Sequence, residues 1–165
     1  MSVPLDRVKS NVHACAIEIA FTGIANPSVI EGWQPFYNSI FEASDFQKAY
    51  ASLSSIDFGE ESATTAAGTY WKQKASFRFP ENDEYRSERI ALLHKIKFVK
   101  FKFTNGRDLI IGRNDFNQNT LPSIKNASDG QLCQIDVESQ SIFPSGFTPN
   151  PNTYGLPTFI PLSLV

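Results

Sequence analysis

Few residues in this chain have the type and spacing to do chemistry. His13 and Cys15 stand two apart, so on a strand they share a face and supply half of a metal site. The chain holds only two histidines and two cysteines, and no second paired cluster completes the set. A packed strand face is the reading preferred here. His94 falls at the end of a basic helix, where a cation suits the helix dipole. Asp115, Asn117 and Asn119 have the alternate spacing of a calcium loop. The motif's glycine is replaced by Thr120 and its bidentate glutamate by Asn126, so a standard site is rejected. Glu60-Glu61 and Asp83-Glu84 are adjacent carboxylates, beside loops or helix starts where solvation or capping explains them. Asn126-Ala-Ser is a glycosylation sequon with no secretory signal ahead of it. There is no glycine-rich phosphate loop, no Gly-x-Ser-x-Gly elbow and no His-Glu-x-x-His helix. The expectation is no catalytic residue, no metal and no cofactor.

Contact chemistry is better represented. Lys95, Lys97, Lys100, Lys102, Arg107 and Arg113 are interleaved with Phe98, Phe101 and Phe103, as on a nucleic-acid-binding sheet. The pI near 5.7 and the need of any sheet for a phenylalanine core argue against nucleic acid. Trp33, Phe36 and Tyr37 sit in one loop, where they can contact a sugar or a partner; core or inter-subunit packing weighs more.

These residues need elements to position them. Residues 12–21 alternate as a strand with Cys15, Ile17, Ile19 and Phe21 on one face. Ser44 and Asp45 can cap a helix with Phe46, Ala49, Tyr50 and Leu53 on one stripe, ending near Ser54 and Ser55. Residues 57–68 read as an exposed loop. Residues 69–79 read as a long strand with Trp71, Ala75, Phe77 and Phe79 inward and Lys72, Lys74 and Arg78 outward. Pro80 stops it, and Asn82 or Asp83 caps a helix over roughly 84–94.

Residues 96–103 and 108–112 are strands joined at Asn105-Gly106, whose positive φ angles suit a type I′ hairpin. Along the first of them the apolar side swaps midway. A bulge, a strand that meets a second layer or subunit, and a lysine-guarded edge strand all explain this. Residues 113–130 read as loop, and 131–139 as a strand with Cys133, Ile135 and Val137 inward. Residues 141–165 hold five of the ten prolines together with many large apolar side chains. Proline excludes regular helix and central strand there, so the segment is an extended arm that needs a surface.

The expected fold is therefore α+β and mainly antiparallel β, a sandwich or partly open barrel with one or two short helices. One domain spans 1–140, and the arm spans 141–165. The 165 residues, 41% hydrophobic and 19% charged, suffice to bury a core without staples. Charge is polarised: residues 1–68 are net acidic by five, 69–125 net basic by six and 126–165 net acidic by three. Such blocks suit head-to-tail contact between copies. The two cysteines read as free, in a reducing compartment. Met1 to Ser10 is polar, with Asp6 among the residues that would need to be basic, so no signal peptide is expected there. The run from Val12 to Ile24 is shorter than the about 20 residues a membrane span needs, so no membrane step is expected.

The order of elements over residues 68–140, about half the chain, resembles that of small virion proteins of tailed bacteriophages. It is most similar to tail or neck components of phages infecting Bacteroidota. The carrying residues are Gly68-Thr-Tyr-Trp71 running into Ser76-Phe-Arg-Phe-Pro80, the helix from Arg86 to His94, Lys97-Phe-Val-Lys-Phe101, Asn105 to Gly112 and the strand from Gly130 to Val137. Residues 1–67 and the arm lie outside the resemblance. It implies a structural subunit of a tail, neck or baseplate that assembles with copies of itself and other virion proteins, without an active site. The protein would be made in the host cytoplasm and reside in the virion. The subunit contacts are expected on the basic hairpin, at Lys97, Lys100, Lys102 and Arg107, and on the arm, at Phe143, Phe147, Tyr154, Phe159, Ile160 and Leu162. The alternative is a ligand- or carbohydrate-binding β domain using Trp33, Trp71 or the Asn-rich stretch 114–119.

Overall fold

Alternation of apolar and polar residues dictates strands over most of the chain, and the computed structural model, which describes residues 13–22 and 46–146, pairs them into two sheets. The strands are β1 (Ala14–Ala20), β2 (Gln47–Ala49), β3 (Asp57–Thr65), β4 (Gly68–Pro80), β5 (Phe98–Phe103), β6 (Asp108–Ile111), β7 (Ser123–Ser128) and β8 (Leu132–Ser141). One helix, α1 (Arg86–Leu93), and 3-10 turns at Leu53–Ser55 and Asp115–Asn117 complete the described elements. Both sheets are antiparallel and four-stranded, in the orders β2-β1-β5-β6 and β3-β4-β8-β7. The chain thus lays down antiparallel pairs in alternating sheets, and the fold is α+β and mainly antiparallel β.

The inner faces make one core. Ile17, Ile19, Val99, Phe101, Leu109 and Ile111 of the first sheet meet Ala75, Phe77, Phe79, Cys133, Ile135 and Val137 of the second. Phe58 meets Phe101 edge-on across the sheets, with ring centroids 5.7 Å apart. Each large side chain buried this way contributes about 1.5–3 kcal/mol. Leu93 brings α1 onto the same core. Glu81, 2% exposed, ties the start of α1 to the β7–β8 turn. Its carboxylate accepts hydrogen bonds from Ser128 Oγ (2.8 Å), Arg86 Nε (2.9 Å) and the Gly130 N–H (3.0 Å).

Several expectations are corrected. Gln47–Ala49 pairs antiparallel with β1 instead of forming a helix. The pairing satisfies β1's edge and packs Ala49 on the core, which a short serine-rich helix would not match. Residues 57–68 are not a loop: β3 pairs with β4 along its whole length, and its polar residues read as loop because it is a solvated edge strand. Residues 123–128 form β7, likewise a polar edge, within the stretch expected to be loop.

Cys15 does not share the inward face of Ile17. A register shift between Ala14 and Ala16 turns it out, and its Sγ lies 3.3 Å from the Lys102 carbonyl oxygen. The side-swap along β5 is resolved: β5 is an interior strand between β1 and β6, so the edge-strand explanation fails. Its Val99 and Phe101 enter the main core. Phe98 joins Ala20, Ile110 and Phe46 in a smaller cluster on the outer face. The hairpin turn is also not type I′. Among the positive-φ residues near it is Gly106 (φ 76°) but not Asn105, and Phe103 N–H bonds the Arg107 carbonyl, closing a three-residue turn.

Candidate functional site

At one end of the sandwich the inward face becomes polar. Register places Glu60, Gln73 and Ser139 in one row across β3, β4 and β8. Gln73, Ser139 and Ser141 are each at most 2% exposed. Buried polar groups of this kind are costly unless hydrogen-bonded, so a neighbouring element must shield them; Gln73 and Ser141 find partners and Ser139 Oγ does not.

The cover is the loop that follows β6. Gly112 starts it, at φ 113°, where a Cβ would lie 2.3 Å from the Lys97 carbonyl oxygen. Only glycine passes this point, because both the backbone angle and the close approach exclude a side chain. Arg113 then turns inward, 2% exposed, and its guanidinium pairs with Asp115 and lies 5.4 Å from the Phe143 ring centroid. Asn114 adopts the left-handed conformation, φ 48°, which asparagine tolerates better than most residues. Its Nδ2 donates to Thr120 O (3.2 Å), Thr120 Oγ1 (3.0 Å) and Leu121 O (3.2 Å). Its Oδ1 accepts from Asn117 Nδ2 (2.9 Å) and from the Gln140 N–H (3.0 Å). Phe116 stacks on Tyr70 of β4 with centroids 4.4 Å apart.

This loop also completes the edge of β8. The β7 pairing runs out at Ser123 opposite Glu138. Beyond it, Asn114 Oδ1 accepts the Gln140 N–H and Asp115 Oδ1 accepts the Ile142 N–H, both at 3.0 Å. The two N–H groups are two residues apart, the repeat at which a strand would have bonded them. Side chains thus stand in for a missing strand.

The chain leaves β8 through the same cluster. Gln73 Nε2 bridges Glu60 Oε2 (3.1 Å) and the Phe143 carbonyl oxygen (3.4 Å). Glu60 Oε2 also accepts from the N–H and hydroxyl of Ser145, at 2.7 and 2.6 Å. The Phe143 N–H donates to Ser141 Oγ at 3.2 Å. Residues 142, 143 and 145 are therefore each held by a hydrogen bond although they belong to no strand. This anchored segment, the root, precedes residues 147–165 in sequence; those residues, with the expected contacts Phe147, Tyr154, Phe159, Ile160 and Leu162, and likewise Trp33, Phe36 and Tyr37, lie outside the described residues.

The basic hairpin is less available than its sequence implies. Lys97 is 9% exposed, and its ammonium caps the carbonyls of Asn119 and Thr120, clamping the loop just described. Burial lowers its pKa. Lys100 pairs with Glu18 at 2.5 Å beneath Phe46, whose ring centroid is 4.3 Å from Nζ. Lys102 reaches the same carboxylate at 2.9 Å. Burial alone would raise the Glu18 carboxyl, but hydrogen bonds from Lys100 and Lys102 outweigh it and hold it below its ordinary value. Arg107, at the hairpin tip, is exposed. His94 Nε2 lies 3.0 Å from Asn126 Oδ1 at the C-terminus of α1. Among the described residues, no three His, Cys, Asp or Glu side chains converge to hold a metal. Among them, too, no helix is long and apolar enough to cross a membrane.

Beside the root lies a half-open cleft of about 690 Å³, lined by Glu60, Gln73, Lys74, Asn114, Leu121 and Ser139 among others. Ser139 Oγ, at its floor, has no hydrogen-bond partner among the described residues. None of the described residues lining the cleft is aromatic, so it offers no ring on which a sugar could stack.

Sequence reasoning singled out Phe143 but not Glu60, Gln73, Asn114, Asp115 or Ser145 in these roles. A signal existed. Gln73 continues the inward parity of Ala75, Phe77 and Phe79, and Ser139 and Ser141 continue that of Cys133, Ile135 and Val137. A polar continuation of an apolar face marks a built cluster. No protein-family model matches the chain, and neither a curated protein nor a solved structure matches it.

Proposed function

We propose that this protein is a non-catalytic structural subunit of a bacteriophage virion, in its tail, neck or baseplate. It would act by assembling with copies of itself and with other virion proteins. The observation that carries the reading is the anchored root. Five side-chain hydrogen bonds from Ser141, Asp115, Gln73 and Glu60 fix residues 142–145. The segment beyond carries no charged residue yet many large apolar ones. A solvated tail needs no such fixture and carries few such side chains. An arm that must leave in one direction and bury apolar surface elsewhere needs both. The resemblance over residues 68–140 is what supports a virion as the setting of that assembly. With Lys97 and Lys100 engaged inside the chain, the hairpin's contribution narrows to its exposed tip around Arg107.

Deleting residues 147–165 tests the reading. The shortened chain is expected to keep its circular dichroism and melting transition and to lose assembly. A shortened chain that still forms the native oligomer refutes the arm's role. A ligand-binding β domain has one observation in its favour, the Ser139 hydroxyl at the floor of the cleft. Saturable binding of a small polar molecule by a monomer, abolished by Ser139→Ala, would put that reading first.

A further inference from the structure

A second concave surface lies at the far end of the molecule from the root. Its floor is Ile19, Phe77, Phe79 and Leu93, and Tyr50 and Leu92 stand on its rim. The groove has a volume of about 420 Å³. Tyr50 is 79% exposed and Leu92 47%, a degree of exposure unusual for large apolar residues beside an apolar floor. Arg89 lies along the groove with its guanidinium 5.6 Å from the Phe79 ring centroid, its charge met by Asp83. The wall formed by β2 is an edge of its sheet.

We propose that this groove receives the end of the arm, residues 156–165, of a neighbouring copy. The inference rests on the assembly reading and names the surface that reading lacks. Two features of its sequence support this occupant. The arm end is uncharged and carries Leu156, Phe159, Ile160, Leu162, Leu164 and Val165, so its chemistry matches the floor. Pro157 and Pro161 deny it a continuous backbone ladder, so it suits a side-chain groove better than addition to a sheet edge.

Surface chemistry, not reach, favours the neighbour over the arm's own chain. Root and groove are separated by the six residues from Gln73 to Phe79 along β4, about 20 Å. The 19 residues from 147 to 165 can extend about 65 Å, so length alone allows either chain's groove. Folding back over the outer face of β3, β4, β8 and β7 would lay these apolar side chains on charge. That face carries the pairs Lys72–Glu61, Lys74–Asp136 and Lys125–Glu138. Extending onward into another copy avoids that. Because root and groove are different surfaces at opposite ends, the contact is head-to-tail and repeats from copy to copy into a ring or an open array.

Two full-length variants test this. One carries Tyr50→Glu with Leu92→Glu, both exposed positions, so its melting should stay close to that of the unaltered chain. The other carries Phe159→Glu with Ile160→Glu. Each alone should lose assembly, its dissociation constant rising at least about tenfold. Mixed, they should form a one-to-one dimer and nothing larger, joining the intact groove of one to the intact arm of the other. If only the arm variant loses assembly, the groove is not the receptor while the assembly reading survives. If each variant is monomeric and the mixture stays so, the arm docks on its own chain and the proposal is overturned. If the unaltered protein is itself monomeric, the assembly reading fails with it. A photo-crosslinking benzoylphenylalanine at Phe159 gives an answer independent of folding. It should join a second chain near Leu92; joining its own chain, or residues 23–45 of either chain, overturns the proposal.

Discussion

Replacing Asn114 is the sharpest test of how the polar end is built. Its amide makes three donor contacts, to Thr120 O, Thr120 Oγ1 and Leu121 O, and accepts the Gln140 N–H and Asn117 Nδ2. Removing it strips Leu121 O and the Gln140 N–H of these partners and leaves Thr120 O to Lys97 alone, at about 1 kcal/mol net for each bond lost. Asn114→Gly should therefore cost about 3 kcal/mol. Asn114→Ala adds the penalty of a Cβ at φ 48°, about 1 kcal/mol more. For a chain of 165 residues a loss of this size lowers the melting temperature by about 10 °C. Urea unfolding at equilibrium, followed by fluorescence, measures both values. If the two variants cost the same, the left-handed backbone carries no penalty here. If both cost less than about 1 kcal/mol, the loop is not what satisfies the end of β8, and the construction of the root described above is wrong.

Further outcomes follow from the same structure. Gly112→Ala should cost about 3 kcal/mol or more, because the new methyl meets the Lys97 carbonyl oxygen at 2.3 Å with φ at 113°; a melting point within about 2 °C of the unaltered chain would contradict this. The Glu81 carboxyl is held below its ordinary 4.5 by the Ser128 hydroxyl, and further by Arg86 and the Gly130 N–H, against the opposing effect of burial. Its folded value is depressed, so its contribution is fully present above the unfolded value and lost as pH falls through the folded one. Glu81→Gln should thus lower stability near pH 7 and flatten the acid limb of the stability–pH curve, and an unchanged limb would contradict the assignment. Cys15 is exposed and Cys133 is buried, so a thiol reagent should modify one cysteine in the native protein and both after unfolding. Rapid labelling of Cys133 would place it outside the core.

The central strands were legible because their inward faces carry unbroken apolar runs before turning polar at one end. Ala75, Phe77 and Phe79 on β4, and Cys133, Ile135 and Val137 on β8, read correctly from period two alone. The polar edge strands β3 and β7 were not, because a strand solvated on one face and stabilised by its neighbour's backbone carries little apolar signal. β2 misled for the opposite reason: Phe46, Ala49 and Tyr50 fall at helical spacing, yet the free edge of β1 decides their conformation. Lysine pattern also misled, since Lys97 and Lys100 look like surface charge and are instead spent on Asn119, Thr120 and Glu18. The root depends on contacts between residues as far apart as Glu60 and Ser145, which no local pattern reveals.

The most direct test of assembly through the arm is the mass of the purified, full-length protein by light scattering after gel filtration, with electron microscopy of the same fraction. Assembly through the arm predicts a particle of several 18.4 kDa chains, seen as a ring or short tube. A single 18.4 kDa species that stays monomeric as concentration rises would contradict it.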